Sequence, residues 1–209
     1  KELFFNEIVQ LLPGHKLEFN SKEWGEMKIE SYYGYDKLFD ESIYRSVRSN
    51  RKAYFEVNEC LTSELKKMTA ATTNACKSIG IVSGGIDSSI VSAILCKDIG
   101  AINSGIACTF DEKDLVVKNA YKLSQKIGIE DFYEIKVSTQ KYTESLKRCI
   151  QLLAAPLTTH SLASSRILAS HAAALGNKII YGGEGADELC LGYNCYSQYC
   201  KKIIFLVAI

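Results

Sequence analysis

Two glycine-rich stretches concentrate the residues able to do chemistry. The first is Ser83-Gly84-Gly85-Ile86-Asp87-Ser88-Ser89. Glycines between a strand and a helix let the backbone approach a ligand, and the first turn of the helix offers unpaired N–H groups to an anion. Serine hydroxyls add donors. Asp87 would repel an anion there unless a cation intervened, which points to Mg²⁺ shared between Asp87 and a polyphosphate. The loop has no lysine for a Walker A motif, and a G-x-G-x-x-G fingerprint counted from Gly183 fails because Glu188 takes its last place. The second stretch, Gly182-Gly183-Glu184-Gly185-Ala186-Asp187-Glu188, crowds three carboxylates on one loop. Such crowding is tolerable if a cation or a cationic group shares the site. The plainer alternatives are a helix-capping turn for the first stretch and an acidic surface loop for the second.

Both stretches need elements to hold them. Ser78–Val82 is a short apolar run leading into the first loop, and Lys178–Tyr181 leads into the second. Between them come strand candidates at Ala101–Phe110 and Phe132–Val137. Helical stripes alternate with these strands. They are Val57/Leu61/Leu65/Met68, Ile90/Val91/Ile94/Leu95, Val116/Ala120/Leu123/Ile127, Tyr142/Leu146/Ile150/Leu153 and Ser161–Leu175. Gly100, Gly128 and Gly176 follow three of them as caps. This alternation predicts an α/β fold, a parallel sheet with helices on both faces, with ligands beyond the carboxyl ends of the strands. The two loops should therefore face each other across one site. Upstream, Phe4–Leu12 and Lys16–Phe19 read as short strands around a Pro13-Gly14 turn, followed by aromatics at Trp24, Tyr32, Tyr33 and Tyr35.

The remaining composition narrows the class. The 209 residues carry 25 basic and 24 acidic side chains, so no basic excess argues for wrapping nucleic acid or lying on an anionic membrane. The final apolar run, Ile203–Ile209, is far short of the roughly 20 residues a bilayer needs. It reads as a core element cut short, and with Lys1 in place of an initiator Met it suggests a fragment. Eight cysteines without a C-x-x-C pair suit reduced thiols in a cytoplasmic protein. Arg166 could pair with a substrate carboxylate. His15 reads as a turn residue, His171 as packing or surface, and Tyr193, Tyr196 and Tyr199 as packing.

Ser83–Ser89 resembles the pyrophosphate loop (PP-loop) of the ATP-pyrophosphatase superfamily. Paired with Gly183-Glu184-Gly185-Ala186-Asp187-Glu188-Leu189 and then Gly192-Tyr193, it is similar to the synthetase domain of glutamine-dependent asparagine synthetases. Phe4-Phe5 and Leu11-Leu12-Pro13-Gly14-His15 resemble the last strands of that family's amino-terminal glutaminase domain. The resemblance covers nearly the whole chain and is weakest from Asp36 to Ser78. It implies a PP-loop ATP pyrophosphatase fold, adenine nucleotide alpha hydrolase-like, preceded by a short β remnant. Residues 1–35 would be the partial glutaminase segment, 36–56 a linker, and 57–209 the ATP-binding synthetase domain, truncated at its C-terminus.

The same resemblance implies roles. Ser83, Gly84, Gly85, Asp87, Ser88 and Ser89 would cradle the pyrophosphate of ATP, and Asp87 with Asp187 would hold Mg²⁺. Ile81 and Ala107 would touch adenine, Gly182 and Gly183 would line the nucleoside, and Glu184 would support acyl-adenylate formation. The implied reaction makes an amide: an aspartate side-chain carboxylate, or a similar acid, is adenylated, pyrophosphate leaves, and ammonia displaces AMP. Ammonia would come from a glutaminase domain or subunit, because the family's glutaminase half begins with a catalytic cysteine and this chain, starting at Lys1 in what resembles the end of that half, has no such group. The family's later catalytic lysine has no counterpart in Lys201 or Lys202, and Ala154-Ala155-Pro156 departs from a stretch often acidic before the proline. Another carboxylate-adenylating PP-loop synthetase and a non-catalytic nucleotide-binding remnant stay open as alternatives. A homodimer is one option for assembly.

Overall fold

A computed structural model describes residues 8–22, 25, 27–34, 52–70, 72, 76–110, 115–156, 159, 161–190 and 192–194, with Val116 by its backbone alone. Phe4-Phe5, Trp24, Tyr35, residues 36–51 of the expected linker, His160, Tyr196, Tyr199, Lys201, Lys202 and Ile203–Ile209 lie outside the described residues. The chain divides into two compact units, Lys1–Glu59 and Cys60–Ile209.

In the first unit, strand β1 (His15–Phe19) pairs antiparallel with β2 (Met27–Ser31). Residues 4–7 of the expected strand Phe4–Leu12 lie outside the described residues, and the described partner of β1 lies downstream of it. The register shows why it fits. Leu17 faces Ile29 and Phe19 faces Met27, while Lys16 faces Glu30 and Glu18 faces Lys28. Opposite charges and apolar pairs thus meet directly across the strands, the unit of sheet stabilisation. Lys16 Nζ lies 2.9 Å from Glu18 and 3.3 Å from Glu30. Hydrogen bonds to these carboxylates push the Lys16 ammonium up and hold Glu18 below its ordinary range, although full exposure leaves such pairs weak. Gly14, with φ +72°, accepts from the N–H groups of Tyr32 and Tyr33 at 2.9 and 3.1 Å, so the Pro13-Gly14 turn closes onto the end of β2.

Helix α1 (Ala53–Ala70) begins inside the interval expected to be linker. Its inward line is Leu61, Leu65 and Thr69, and the expected stripe members Val57 and Met68 are exposed. The Thr69 hydroxyl donates back to the Leu65 carbonyl at 2.8 Å, which lets a polar residue take the buried position.

The second unit is built on a parallel sheet. Its strands are β3 (Ser78–Ile81), β4 (Ser104–Thr109), β5 (Asp131–Lys136) and β6 (Ile179–Tyr181), in the order β5-β4-β3-β6. All three pairings are parallel. Helix α2 (Ile86–Ala93) follows β3 and α3 (Leu115–Ile127) follows β4. Helices α4 (Thr139–Leu153) and α5 (Ser161–Ala174) lie between β5 and β6, and α6 (Ala186–Cys190) follows β6. One sheet face, Ile79, Ile106, Ile135 and Val137, packs on Ile167, Leu168 and Ala172 of α5. The other packs Val82 and Phe132 on Ala120, Leu123 and Ile127 of α3. Helices therefore cover both faces, as the alternation of elements predicted. Each fully buried branched side chain is worth about 1.5–3 kcal/mol.

Two helical expectations need adjusting. Gly100 does cap the segment after β3, in the left-handed conformation with φ +71°, but the last turns, Ile94–Ile99, are wound as a π-helix. In α4 the buried positions are Ser145 and Cys149, while Ile150 and Leu153 of the expected stripe are exposed. The reason is the partner. α4 packs on another helix, where small side chains permit close approach: the Ser145 hydroxyl donates to Ala163 O at 2.9 Å and the Cys149 thiol to Leu162 O at 3.6 Å.

Candidate active site

The strand order reverses at β3. From β3 the chain steps to β4 and β5 on one side, then returns to β6 on the other side of β3. At such a reversal the loops leaving the two neighbouring strands diverge and open a crevice beyond their carboxyl ends. The loops leaving β3 and β6 are the two glycine-rich stretches.

The first loop is tied by hydroxyls. Ser88 is buried, and its Oγ accepts the Ser83 N–H at 3.2 Å and lies 2.8 Å from Ser83 Oγ. Ser83 Oγ in turn accepts the Gly85 N–H at 3.3 Å, and Ser88 Oγ donates to Gly85 O at 3.4 Å. The Ser89 hydroxyl also donates to Gly85 O. Gly84 takes φ +81°, which a side chain would strain. Gly85 is the N-cap of α2 and no side chain caps this helix. The start of α2 thus keeps its amide donors for another acceptor, the property that suits a helix start to phosphate oxygens. Asp87, half-buried, sits in that first turn.

The second loop packs its backbone against the first. A Cβ placed on Gly183 would stand 2.6 Å from Ser88 N, 2.7 Å from Asp87 C and 2.8 Å from Asp87 Cβ. Only a glycine fits there, and the contact brings the β6 loop onto the residue pair Asp87–Ser88. A Cβ on Gly182 would make an ordinary 3.4 Å contact with Ile81 Cδ1, so Ile81 and Gly182 are neighbours. Gly185 takes φ +92°, and α6 begins directly after it. Asp187 is half-buried, whereas Glu184 and Glu188 are exposed. Ala107 lies on β4 just beyond the Ile81–Ile106 pairing and is buried at 2% exposure.

Two residues just beyond α6, Gly192 and Tyr193, have no site role expected from sequence. Gly192 N–H donates to Asp187 O at 3.0 Å, and a Cβ on Gly192 would collide with Asp187 Oδ1. Tyr193 OH donates to Glu188 Oε1 at 2.8 Å. The spacing of Gly192-Tyr193 after the acidic run was the available signal, and what it does locally is to fold the chain back against the Asp187 carboxylate.

As a metal site the arrangement is open. Among the described residues no three His, Cys, Asp or Glu side chains cluster into a cage. Mg²⁺ needs no such cage, since it uses one or two carboxylates together with substrate phosphates and water. Half-buried Asp87 in the first turn of an uncapped helix fits that chemistry.

No curated protein sequence matches the chain. Solved structures similar to it include an NH3-dependent NAD synthetase from Campylobacter jejuni, at 18% identity and TM-score 0.46, covering 68% of this chain and 61% of that one. An NMN synthetase from Francisella tularensis is 19% identical with TM-score 0.45, covering 65% and 58%. A glutamine-dependent NAD+ synthetase from Acinetobacter baumannii, in complex with ADP, is 18% identical with TM-score 0.47, covering 67% and 27%. The chain thus spans less than two thirds of the length of each. Residues 61–203, more than half of the sequence and including both loops, match the family model described as asparagine synthase, and the chain belongs to that family.

Proposed function

We propose that the crevice between the β3 and β6 loops binds ATP with Mg²⁺ and activates a carboxylate for amide formation, with the side chain of aspartate as the acid. The observation that carries this reading is the packing of Gly183 on Asp87–Ser88, because it unites the uncapped helix start and the acidic loop in one place. In this reading Ser83, Gly84, Gly85, Ser88 and Ser89 hold the pyrophosphate end of ATP. Ile81, Ala107, Gly182 and Gly183 border the nucleoside, with Ala107 offering backbone because its side chain is buried. Asp87 and Asp187 would hold Mg²⁺, which when bound offsets phosphate charge. Glu184 supports the transfer at the α-phosphorus.

The chemistry balances simply. A carboxylate is too electron-rich for direct attack by ammonia, so its oxygen attacks the α-phosphorus and the bond to pyrophosphate breaks. Ammonia then attacks the acyl carbon of the mixed anhydride, AMP leaves with the bonding pair, and the nitrogen loses a proton. The amide donors at the α2 start would stabilise charge as it grows on pyrophosphate, the kind of preorganised contribution that dominates such transfers. A cytoplasmic setting suits this use of ATP, aspartate and ammonia.

ATP–pyrophosphate exchange tests the reading. Exchange that requires both aspartate and Mg²⁺ is expected, with free ammonium yielding asparagine and AMP. Exchange driven by a different acid would transfer the proposal to another carboxylate-adenylating synthetase. Nucleotide binding without exchange under any acid would leave only a binding role. Asp87→Asn and Asp187→Asn should each weaken Mg²⁺-dependent ATP binding about tenfold, one lost charge-assisted contact. Unchanged ATP affinity in both would remove the metal assignment.

A further inference from the structure

A second concave site lies between α4 and α5, and the proposed reaction makes no use of it. The cleft encloses about 590 Å³, within the range of small-molecule sites. Lys141, Lys147 and Arg148 line it from α4, Arg166 and His171 from α5, and Glu144 is the one carboxylate among its lining residues. On α4 the positions 141, 144 and 148 fall on one helical face by their spacing of three and four. The described partners of these cations are neutral. Lys141 Nζ lies 3.1 Å from His171 Nε2, an acceptor when Nδ1 donates to Ile167 O at 2.9 Å. Arg166 Nη1 reaches Ser145 Oγ only at 3.5 Å, and that hydroxyl already donates to Ala163 O. Arg148 Nη1 donates to Gln151 Oε1 at 3.3 Å. Among the described residues no salt bridge involves Lys141, Lys147, Arg148 or Arg166.

Lys141 and Arg166 are half-buried, where an uncompensated cation is unfavourable and an incoming anion gains most. Four cations against one carboxylate exceed what a single carboxylate ligand would neutralise. Guanidiniums arriving from two helices match oxyanions with which they can form paired hydrogen bonds. We propose that the α4–α5 cleft binds a small polyanion, a molecule bearing two or more phosphoryl or carboxylate groups.

The test uses the whole ¹⁵N-labelled chain, titrated at constant ionic strength with pyrophosphate in one arm and citrate in the other. Saturable amide shifts at Ser145, Arg148, Arg166 and Ser170 are expected in at least one arm, and the arm that saturates tells phosphoryl from polycarboxylate recognition. Lys147→Gln/Arg148→Gln replaces two exposed residues and should weaken that binding tenfold or more with an unchanged melting temperature. Arg166→Gln should weaken it likewise. Shifts confined to residues 83–89 report the other loop and count against the proposal. Absence of saturable shifts on α4 and α5 in both arms, or wild-type affinity in both variants, would overturn it.

Discussion

The loop after β3 closes on itself, whereas the loop after β6 leans on its neighbour. In the first, Ser83, Ser88 and Ser89 exchange hydrogen bonds with Gly85 and with one another, and Ser88 is buried at their centre. In the second, the carboxylates Glu184 and Glu188 are exposed, and its close fit comes from Gly183 resting on Asp87 and Ser88. A hydroxyl-laced turn keeps its shape whether or not a ligand is present. A loop placed by backbone packing keeps its position only while that packing survives. The fixed amide donors and Asp87 thus sit on the self-supporting loop, and Glu184, Asp187 and Glu188 on the dependent one.

Gly183→Ala should break this dependence most severely. The new methyl meets backbone atoms of Asp87 and Ser88, which cannot swing aside, so a cost of about 1–3 kcal/mol in urea unfolding is expected, as for overpacking. Nucleotide affinity should fall more than tenfold. Gly182→Ala is the control: its methyl meets the side-chain atoms Ile81 Cδ1 at 3.4 Å and Glu184 Cγ at 3.9 Å, both ordinary contacts, and stability should stay near wild type. Equal effects of the two substitutions would contradict the packing account.

Ser88→Ala attacks the self-supporting loop. It removes the acceptor of Ser83 N–H and the partner of Ser83 Oγ, and because water can reach the exposed Ser83 a loss of about 0.5–1.5 kcal/mol is expected. Gly192→Ala should act more narrowly. Its methyl would push on the Asp187 carboxylate, so Mg²⁺-dependent ATP binding should weaken several-fold, with a melting temperature shifted by only a few degrees. Least of all, Glu188→Gln alters an exposed bond to Tyr193 and should change stability by no more than about 0.5 kcal/mol. A large loss there would show that the second loop holds itself after all.

Much of this was legible in the residues. The strands β3 to β6 and the glycine caps at Gly100, Gly128 and Gly176 follow from local rules, because apolar runs and left-handed positions are properties of short segments. Gly100, Gly128 and Gly176 all take φ between +71° and +87°. Helix faces were less legible. Leu146, Ile150 and Leu153 look like the inward line of α4, yet Ser145 and Cys149 are buried, because only the presence of α5 makes small residues the better fit. The downstream partner of β1 was missed for a related reason: a turn signal at Pro13-Gly14 is local, and the matching charges of Lys16–Glu30 and Glu18–Lys28 have meaning only in register.

The sequence by itself determined the alternation of strands and helices, the two glycine-rich loops and the residue types each offers, because these depend on neighbours along the chain. The tertiary structure alone decided that β6 returns to the side of β3 opposite β4, and that Gly183 seats one loop on the other. It also gathered the cations of α4 and α5 around one cleft. Those outcomes depend on which surfaces pack without leaving voids or overlaps, a condition on three-dimensional neighbours that no local pattern encodes.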